Sequence, residues 1–497
     1  MPLVPTPSLA RWVHPKFLLC ALLLGYGGYN VGFLSRESVD TSALVSILQG
    51  ATGGDPLRVP VVGPRPPLLH RPNAVTTVQA VHATVTTVVT EYIAVPPREP
   101  ESPRVLKGLP TNAFRDNLQP GTQYITSWPG SGWTNDVMLV INLIYLALLT
   151  ERVPIVPFFV PLHVSQNNFE RGQTLDFGEV FDIPRLSKAI RKPVLEWWEV
   201  KNRSTETVDT LGCWNLWQAV SSKHDTPHWT HTPVRLNIDV SYTQAPSWIQ
   251  LYEDDSNHMK FSSLSALSFP QKRSESLLAP APAPRTGAVL PPDEQVLCYD
   301  NLYWANDHEQ HELEKSDYSP AWRFVGHHLH WSNKLQDIGD MYIREALGVP
   351  ATDPIPPYIA VHARHGDFVE RCDIQTADEC FTPLPALARR VEEVQSELLR
   401  THGLAVSLVV MTSDEKDPDW WNEVSGYGWK RLDHSETAER YGFWYPILID
   451  AVVQSGSTGF VGTDQSTVSF LAGRRVKGWR NGVTRFAKWG SPQADDH

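Results

Sequence analysis

Tyr358–Phe368 reads YIAVHARHGDF, and its reading decides the fold. Residues Tyr358 to Arg364 have the apolar, extended pattern of a strand, and Gly366 permits a tight exit turn. On a strand His362 and Arg364 stand two apart and share one face. They fall at the strand's carboxyl end, where open α/β sheets bind ligands. An arginine there can grip a phosphate through two parallel charge-assisted bonds. The plainer alternative is an ion pair between Arg364 and Asp367 at the surface.

Working outward, the same grammar repeats. Pro383–His402 is an amphipathic helix with Leu384, Leu387, Val391, Val394 and Leu398 on one face, ended by Gly403. Leu404–Met411 reads as a strand, Trp444–Gln454 as a helix, Gly459–Gly462 as a strand and Thr467–Arg475 as a helix. Upstream, Tyr124–Trp128 is strand-like, PGSGW is a glycine-bearing turn, Asn135–Thr150 is an almost wholly apolar helix, and Arg152–Val160 is the next buried strand. Alternation of this kind predicts parallel sheets covered on both faces. The expected fold class is α/β, with two Rossmann-like domains facing a cleft at the carboxyl ends of their strands.

The chain has 497 residues, with 41% hydrophobic and 20% charged residues, which excludes wholesale disorder, a coiled coil or a fibrous repeat. A net charge of -12 argues against nucleic acid as a partner, because a polyanion needs a basic field. Phe17–Leu34 (FLLCALLLGYGGYNVGFL) is uncharged, about one bilayer crossing long, and follows Arg11, His14 and Lys16. It reads as a signal anchor, with a cleaved signal peptide as the alternative. The expected organisation is a cytosolic tail at 1–16, an anchor at 17–34 and a Pro/Thr-rich stem at 35–112. An N-terminal Rossmann-like domain follows at 113–335, with a disordered insertion at 262–294, and a nucleotide-sugar-binding Rossmann-like domain at 336–490. Within the stem, Val75–Val95 has the composition of a strand. Such a chain is a single-pass type II membrane protein of the ER or Golgi with a lumenal catalytic part. In that compartment Cys372 and Cys380 can close a small ring, while Cys213 and Cys298 are left either to pair or to remain thiols. Asn202-Arg203-Ser204 is a glycosylation sequon.

Two further strings carry chemistry. In GTDQSTVSFLAGRRV (Gly462–Val476) a strand and turn lead to Ser466 and Thr467 at a helix start, the pattern of an anion site built from N–H groups and hydroxyls. An ordinary N-cap by either residue is the alternative. In SWPGSGWTNDVM (Ser127–Met138) another helix start can face the same cleft.

Together the three strings resemble the GDP-fucose protein O-fucosyltransferase family, over roughly residues 120 to 480. The family's features match Gly132-Trp133-Thr134-Asn135, His362 through Phe368, and Ser466-Thr467-Val468-Ser469 with Arg474-Arg475. The first departs most, with Trp-Thr where the family often has Phe-Gly or Phe-Asn. The resemblance implies a GT-B-type glycosyltransferase that inverts at the sugar carbon, uses GDP-fucose as donor, requires no metal or other cofactor, and acts on a hydroxyl of a glycoprotein Ser or Thr. It further implies that Arg364 neutralises the diphosphate leaving group and that Asn135 sits beside the fucose and the attacking hydroxyl. His362, Gly132, Ser466, Thr467 and Val468 would bind GDP-fucose. No general base is evident: Asp136 lies nearby but reads as a helix cap.

Asp417-Pro418-Asp419 is an Asp-x-Asp of the kind used by metal-dependent transferases, and such an enzyme is one alternative. A catalytically silent sugar-nucleotide or glycan binder on the same fold is another. His308 and His311 in HEQHE lack the i, i+4 spacing of a helical zinc site, and His327, His328 and His330 fare no better. Trp197, Trp198, Trp214, Trp217, Trp420 and Trp421 read as packing residues rather than sugar platforms.

Overall fold

Thirteen strands lie among the described residues, and the central ones, such as Tyr124–Ser127, Val296–Tyr299, Tyr358–Ala363 and Gly459–Thr463, are runs buried on both faces, the mark of parallel sheets. The computed structural model describes residues 104–161, 173–253, 256–316, 318–372, 377–491 and 493–496. The expected anchor, Val75–Val95 and the stem as far as residue 103 lie outside them. No helix among the described residues is long and apolar enough to cross a membrane.

The strands are β1 (Tyr124–Ser127), β2 (Val153–Val156), β3 (Leu195–Glu196), β4 (Asp209–Asn215), β5 (Ile238–Gln244), β6 (Met259–Lys260), β7 (Val296–Tyr299), β8 (Ala305–Asn306), β9 (Tyr358–Ala363), β10 (Leu408–Ser413), β11 (Lys430–Arg431), β12 (Gly459–Thr463) and β13 (Val483–Ala487). One sheet runs β3-β2-β1-β7-β4-β5 and the other β11-β10-β9-β12-β13, while β6 and β8 form a small ribbon. Every pairing within the two large sheets is parallel. The expected mixed α/β layout with parallel sheets is therefore present.

The principal helices are α1 (Trp133–Leu149), α2 (Glu312–Lys315), α3 (Asn333–Leu347), α4 (Leu384–His402), α5 (Pro418–Gly426), α6 (Tyr445–Gly456) and α7 (Thr467–Arg480). Helix α1 is apolar on nearly every side because it packs against β1 and β2 and also against α7 of the other half. One continuous apolar cluster runs from Val137 and Ile141 on α1 to Val452 on α6 and Leu471 and Val476 on α7. Trp331 stitches this junction: its indole donates to Ser455 Oγ at 2.8 Å and its ring stacks on Phe181 at 5.3 Å. The helix starts facing the gap between the sheets are thereby held by shared core.

Several expectations change. Residues 262–294 are ordered, not a disordered insertion: helices occupy Phe261–Ala266 and Pro270–Ser276, and the remainder straps across β5 and β4. Its prolines leave few N–H groups to satisfy, and β5 supplies the partners. Asp239 accepts from the N–H groups of Arg285 and Thr286, Ser241 bridges Ala281 and Leu290, and Ala281 N–H donates to Tyr242 O. The strap lies so close that a Cβ on Gly212 would sit 1.8 Å from Pro291 O. The end of the expected stem, residues 104–112, lies on the folded unit: Val105 O accepts from Tyr124 Oη at 2.6 Å, and Leu106 bridges Leu118.

Strand β10 begins at Leu408 rather than Leu404, because Gly403 ends α4 at φ +66° and Val406 O accepts from Gln395 on that helix. Helix α7 continues past Arg475 to Arg480, where Asn481 turns left-handed. Both cysteine pairs are disulfides. Cys213–Cys298 joins neighbouring strands β4 and β7, and Cys372–Cys380 closes the small ring.

Candidate active site

A cavity of about 510 Å³ opens between the carboxyl ends of the two sheets. Three walls line it: Gly132 to Asn135 at the start of α1, Arg364 with Asp367, Phe368 and Arg371 after β9, and Gln465 to Val468 at the start of α7. The three strings singled out in the sequence thus meet in one crevice.

Arg364 is placed by its backbone and held by charge. Its N–H donates to Thr463 Oγ1 at 2.9 Å, which fixes the end of β9 against β12. The guanidinium pairs with Asp414, which follows β10, and with Asp367, leaving 24% of the side chain exposed to the cavity. Arg364 thus forms the Asp367 pair of the plainer reading while it also lines the cavity. Gly366 sits at φ +37°, where a Cβ would lie 2.2 Å from Asp414 Oδ2, so the turn that presents Arg364 requires glycine. Asp414 also accepts the His365 N–H at 2.8 Å, and His365 Nδ1 lies 2.6 Å from Glu415 Oε2.

His362 takes a different place from Arg364. It is buried against α7, with Nδ1 2.8 Å from Ser469 Oγ, and does not line the cavity. Burial first, then the charges of Arg364 and His365, lower its pKa to about 3, so the ring is neutral at ordinary pH. Ser469 Oγ in turn accepts from Thr463 N–H at 3.0 Å. His362 therefore braces the junction of β9, β12 and α7 behind the cleft.

Neither helix start facing the cavity is capped by a side chain of its N-cap residue. Ser466 is buried at the start of α7 and makes no cap bond, while Gln465 adopts φ +63° to turn the chain into the helix. Gly132 stands at the start of α1. Asp136 does not cap that helix as expected. It turns back to accept from Gly130 and Ser131 N–H at 3.2 and 3.0 Å, and its burial holds its pKa well above the carboxylate range. The starts of two helices, with their positive dipole ends and no N-cap side-chain bond, line one shared space, an arrangement suited to an anion. Across that space Thr467 Oγ1 donates to Asn135 Oδ1 at 2.8 Å and lies 2.7 Å from Thr134 Oγ1.

Sequence reasoning missed the fourth wall. Tyr303 and Trp304, past the end of β7, and His311, Glu314 and Lys315 on or beside α2 complete the cavity. The available signal was position: NLYWANDHEQHE follows a buried strand at the carboxyl edge of the sheet. Asp417 and Asp419 lie elsewhere, since neither lines the cavity and the Asp417 carboxylate accepts the Asp419 N–H to cap α5. Trp197 and Trp214 are core residues, and Trp217 stacks on His224 at 3.7 Å.

Two parallel α/β halves with a cationic, hydroxyl-rich crevice at their strand ends define a group-transfer enzyme for an anionic donor. Residues 124–477 match the GDP-fucose protein O-fucosyltransferase family; the chain belongs to that family and is a GDP-fucose-dependent fucosyltransferase. It is similar to the crystal structure of POFUT1 in complex with GDP-fucose, at 16% identity and a TM-score of 0.46 over 75% of this chain and 99% of that one. POFUT1 in complex with GDP gives 15% and 0.46 over 74% and 99%. The fucosyltransferase NodZ from Bradyrhizobium gives 12% and 0.34 over 71% and 93%. No curated protein sequence matches the chain.

Proposed function

We propose that the crevice holds the diphosphate of GDP-fucose between Arg364 and the start of α7, and that fucose passes with inversion to a Ser or Thr hydroxyl of a glycoprotein. The observation that carries this reading is the Thr467–Asn135 hydrogen bond, which sets both helix starts around the cavity that Arg364 lines. As the bond to the sugar breaks, negative charge grows on the phosphate oxygens. Fixed cationic and N–H donors lower that barrier because they need no reorganisation. Arg364 is the principal donor, with Ser466, Thr467 and the Val468 backbone at the helix tip, and with Gly132 allowing close approach. Asn135 faces the fucose and the incoming hydroxyl. His362 acts by bracing the strand end. In this reading the arginine and N–H groups do the work that a divalent metal does in Asp-x-Asp transferases.

The same reading places the catalytic part in the lumen of the ER or Golgi behind a type II anchor at 17–34. Two disulfides support an oxidising compartment. Asn202 is exposed, with its Oδ1 accepting from Ser204 N–H at 2.9 Å, which supports its use as a glycosylation site. The test is GDP release from GDP-fucose by the purified protein with a chelator present, with Ser- and Thr-bearing glycoprotein acceptors supplied. Release with fucose appearing on the acceptor is expected. Turnover that needs an added divalent ion would overturn the metal-free reading, and tight donor binding without turnover would make the chain a binder.

A further inference from the structure

Building on the GDP-fucose reading, we infer that His311 is the general base that takes the proton from the attacking hydroxyl, with Glu314 and Tyr303 as its positioning residues. The three side chains line the same cavity as Arg364 and Asn135. Glu314 is the more buried partner, with 9% of its side chain exposed against 30% for His311. Its Oε1 accepts from Tyr303 Oη at 2.5 Å, and its Oε2 lies 3.4 Å from His311 Nδ1. That nitrogen is buried, makes no hydrogen bond and lies on the Glu314 side, while the exposed part of the side chain belongs to the cavity lining, which leaves Nε2 as the nitrogen available to a substrate. A carboxylate behind an imidazole holds one tautomer and stabilises the imidazolium that forms, the logic of a base and its orienting acid. The gap of 3.4 Å is the kind that tightens when substrate closes a site.

The carrier of this pair is itself fixed. His311 adopts φ +58°, a conformation that costs energy outside glycine, and it begins the short helix α2. Arg474 on α7 donates to the carbonyls of Glu312, Leu313 and Ser316, so the helix that presents the donor-side hydroxyls also clamps the base-bearing turn. Around the imidazole stand His258, with its ring centroid 4.8 Å away, and Trp304 at 5.5 Å. Lys315 and Arg371 are the nearby cations on the cavity wall, and Glu314 is the carboxylate facing the ring.

The step balances as follows. The acceptor O–H proton passes to His311 Nε2, and the freed electron pair forms the new bond from oxygen to fucose C1. The bond from C1 to the β-phosphate oxygen breaks, and its electron pair leaves with GDP toward Arg364. The imidazolium then returns its proton to water.

The test uses the whole protein with GDP-fucose and water as the acceptor, following GDP release from pH 5 to 9 and donor affinity by calorimetry. His311→Asn is the informative variant, because asparagine tolerates the left-handed backbone at this position. It should lower the release rate about a hundredfold or more while the Kd for GDP-fucose changes less than twofold. The wild type should lose activity on the acid side of its profile, as a general base does when it takes up a proton, and this limb should vanish in the variant. Glu314→Gln should move the limb to lower pH, whereas Glu314→Asp should restore most of the wild-type profile. Release within threefold of wild type for His311→Asn would overturn the assignment. So would a tenfold loss of donor affinity in that variant, or a wild-type profile with no acid limb, which needs no variant to fold. Failure of the wild type to bind GDP-fucose would instead overturn the underlying donor reading.

Discussion

Thr467 and Asn135, 332 residues apart in the chain, share a 2.8 Å hydrogen bond in which the threonine hydroxyl donates to the asparagine carbonyl. The bond joins the first turns of α7 and α1 directly over the cavity. It makes the two cavity walls at the starts of α7 and α1 one surface rather than two that must find each other on binding.

A double-mutant cycle measures that connection. Thr467→Val and Asn135→Ala should couple by about 1 kcal/mol in thermal or urea unfolding, the usual net worth of a hydrogen bond between partly buried groups. Additive effects on stability and on the KM for GDP-fucose would show that the two walls act independently.

Arg364→Ala should lower the rate of fucose transfer by a hundredfold or more, about 3 kcal/mol of barrier, with the far-ultraviolet circular dichroism unchanged. Arg364→Lys should recover little, because an ammonium cannot span Asp414 and Asp367 while presenting a planar face to phosphate. Initial rates at saturating donor decide it; a variant with normal kcat rules out the leaving-group role.

Gly366→Ala should be costly although it adds one methyl. At φ +37° that methyl would press on Asp414 Oδ2, the carboxylate that holds Arg364 and the His365 N–H. A loss of about 1–3 kcal/mol in stability together with a raised KM for GDP-fucose is expected. Melting curves with and without donor would show both effects, and a silent substitution would mean that the turn does not position the arginine.

Acid should weaken the fold partly through His362. Its pKa falls from 6.5 to about 3 on folding, so the unfolded chain binds a proton that the native state refuses. The associated stability is complete above pH 6.5 and is lost as pH falls toward 3. His330, lowered to about 4, acts in the same sense, whereas Asp300, raised to about 6, opposes them. The difference between wild type and His362→Gln isolates one group: the variant should lose less stability between pH 6.5 and 4, measured by urea unfolding. Parallel curves would contradict the buried neutral ring.

Removing the Cys213–Cys298 bridge by paired alanine substitution should cost stability of at most about 4.6 kcal/mol, because 85 residues separate the two cysteines. The loss should appear in the midpoint of denaturation, with donor affinity nearly unchanged, since neither cysteine lines the cavity.

Much of this architecture was legible in single segments. The apolar run of β9, the seam of α4 ending at Gly403, and the turn before Ser466 and Thr467 are written in propensities, periodicities and turn chemistry that act over a few neighbouring residues. These local rules also put Arg364 at a strand's carboxyl end. They could not show that His362, on the same strand face, would be sealed against Ser469, because that depends on how α7 lies on the sheet. Residues 262–294 looked incapable of order alone, and became ordered because Asp239 and Ser241 on β5 supply the hydrogen-bond partners that its prolines leave to be met.

What the amino-acid sequence determined by itself, then, is the succession of parallel strand and helix units and the chemical identity of the groups at their ends. Tertiary structure alone decided which of those ends meet: Thr467 with Asn135, Cys213 with Cys298, and Tyr303 and His311 with Arg364 around one cavity. The reason is physical. Backbone preference is set between neighbours, whereas contact between distant segments is set by how apolar faces interlock, and in this protein one core shared by α1, α6 and α7 sets the spacing of the crevice.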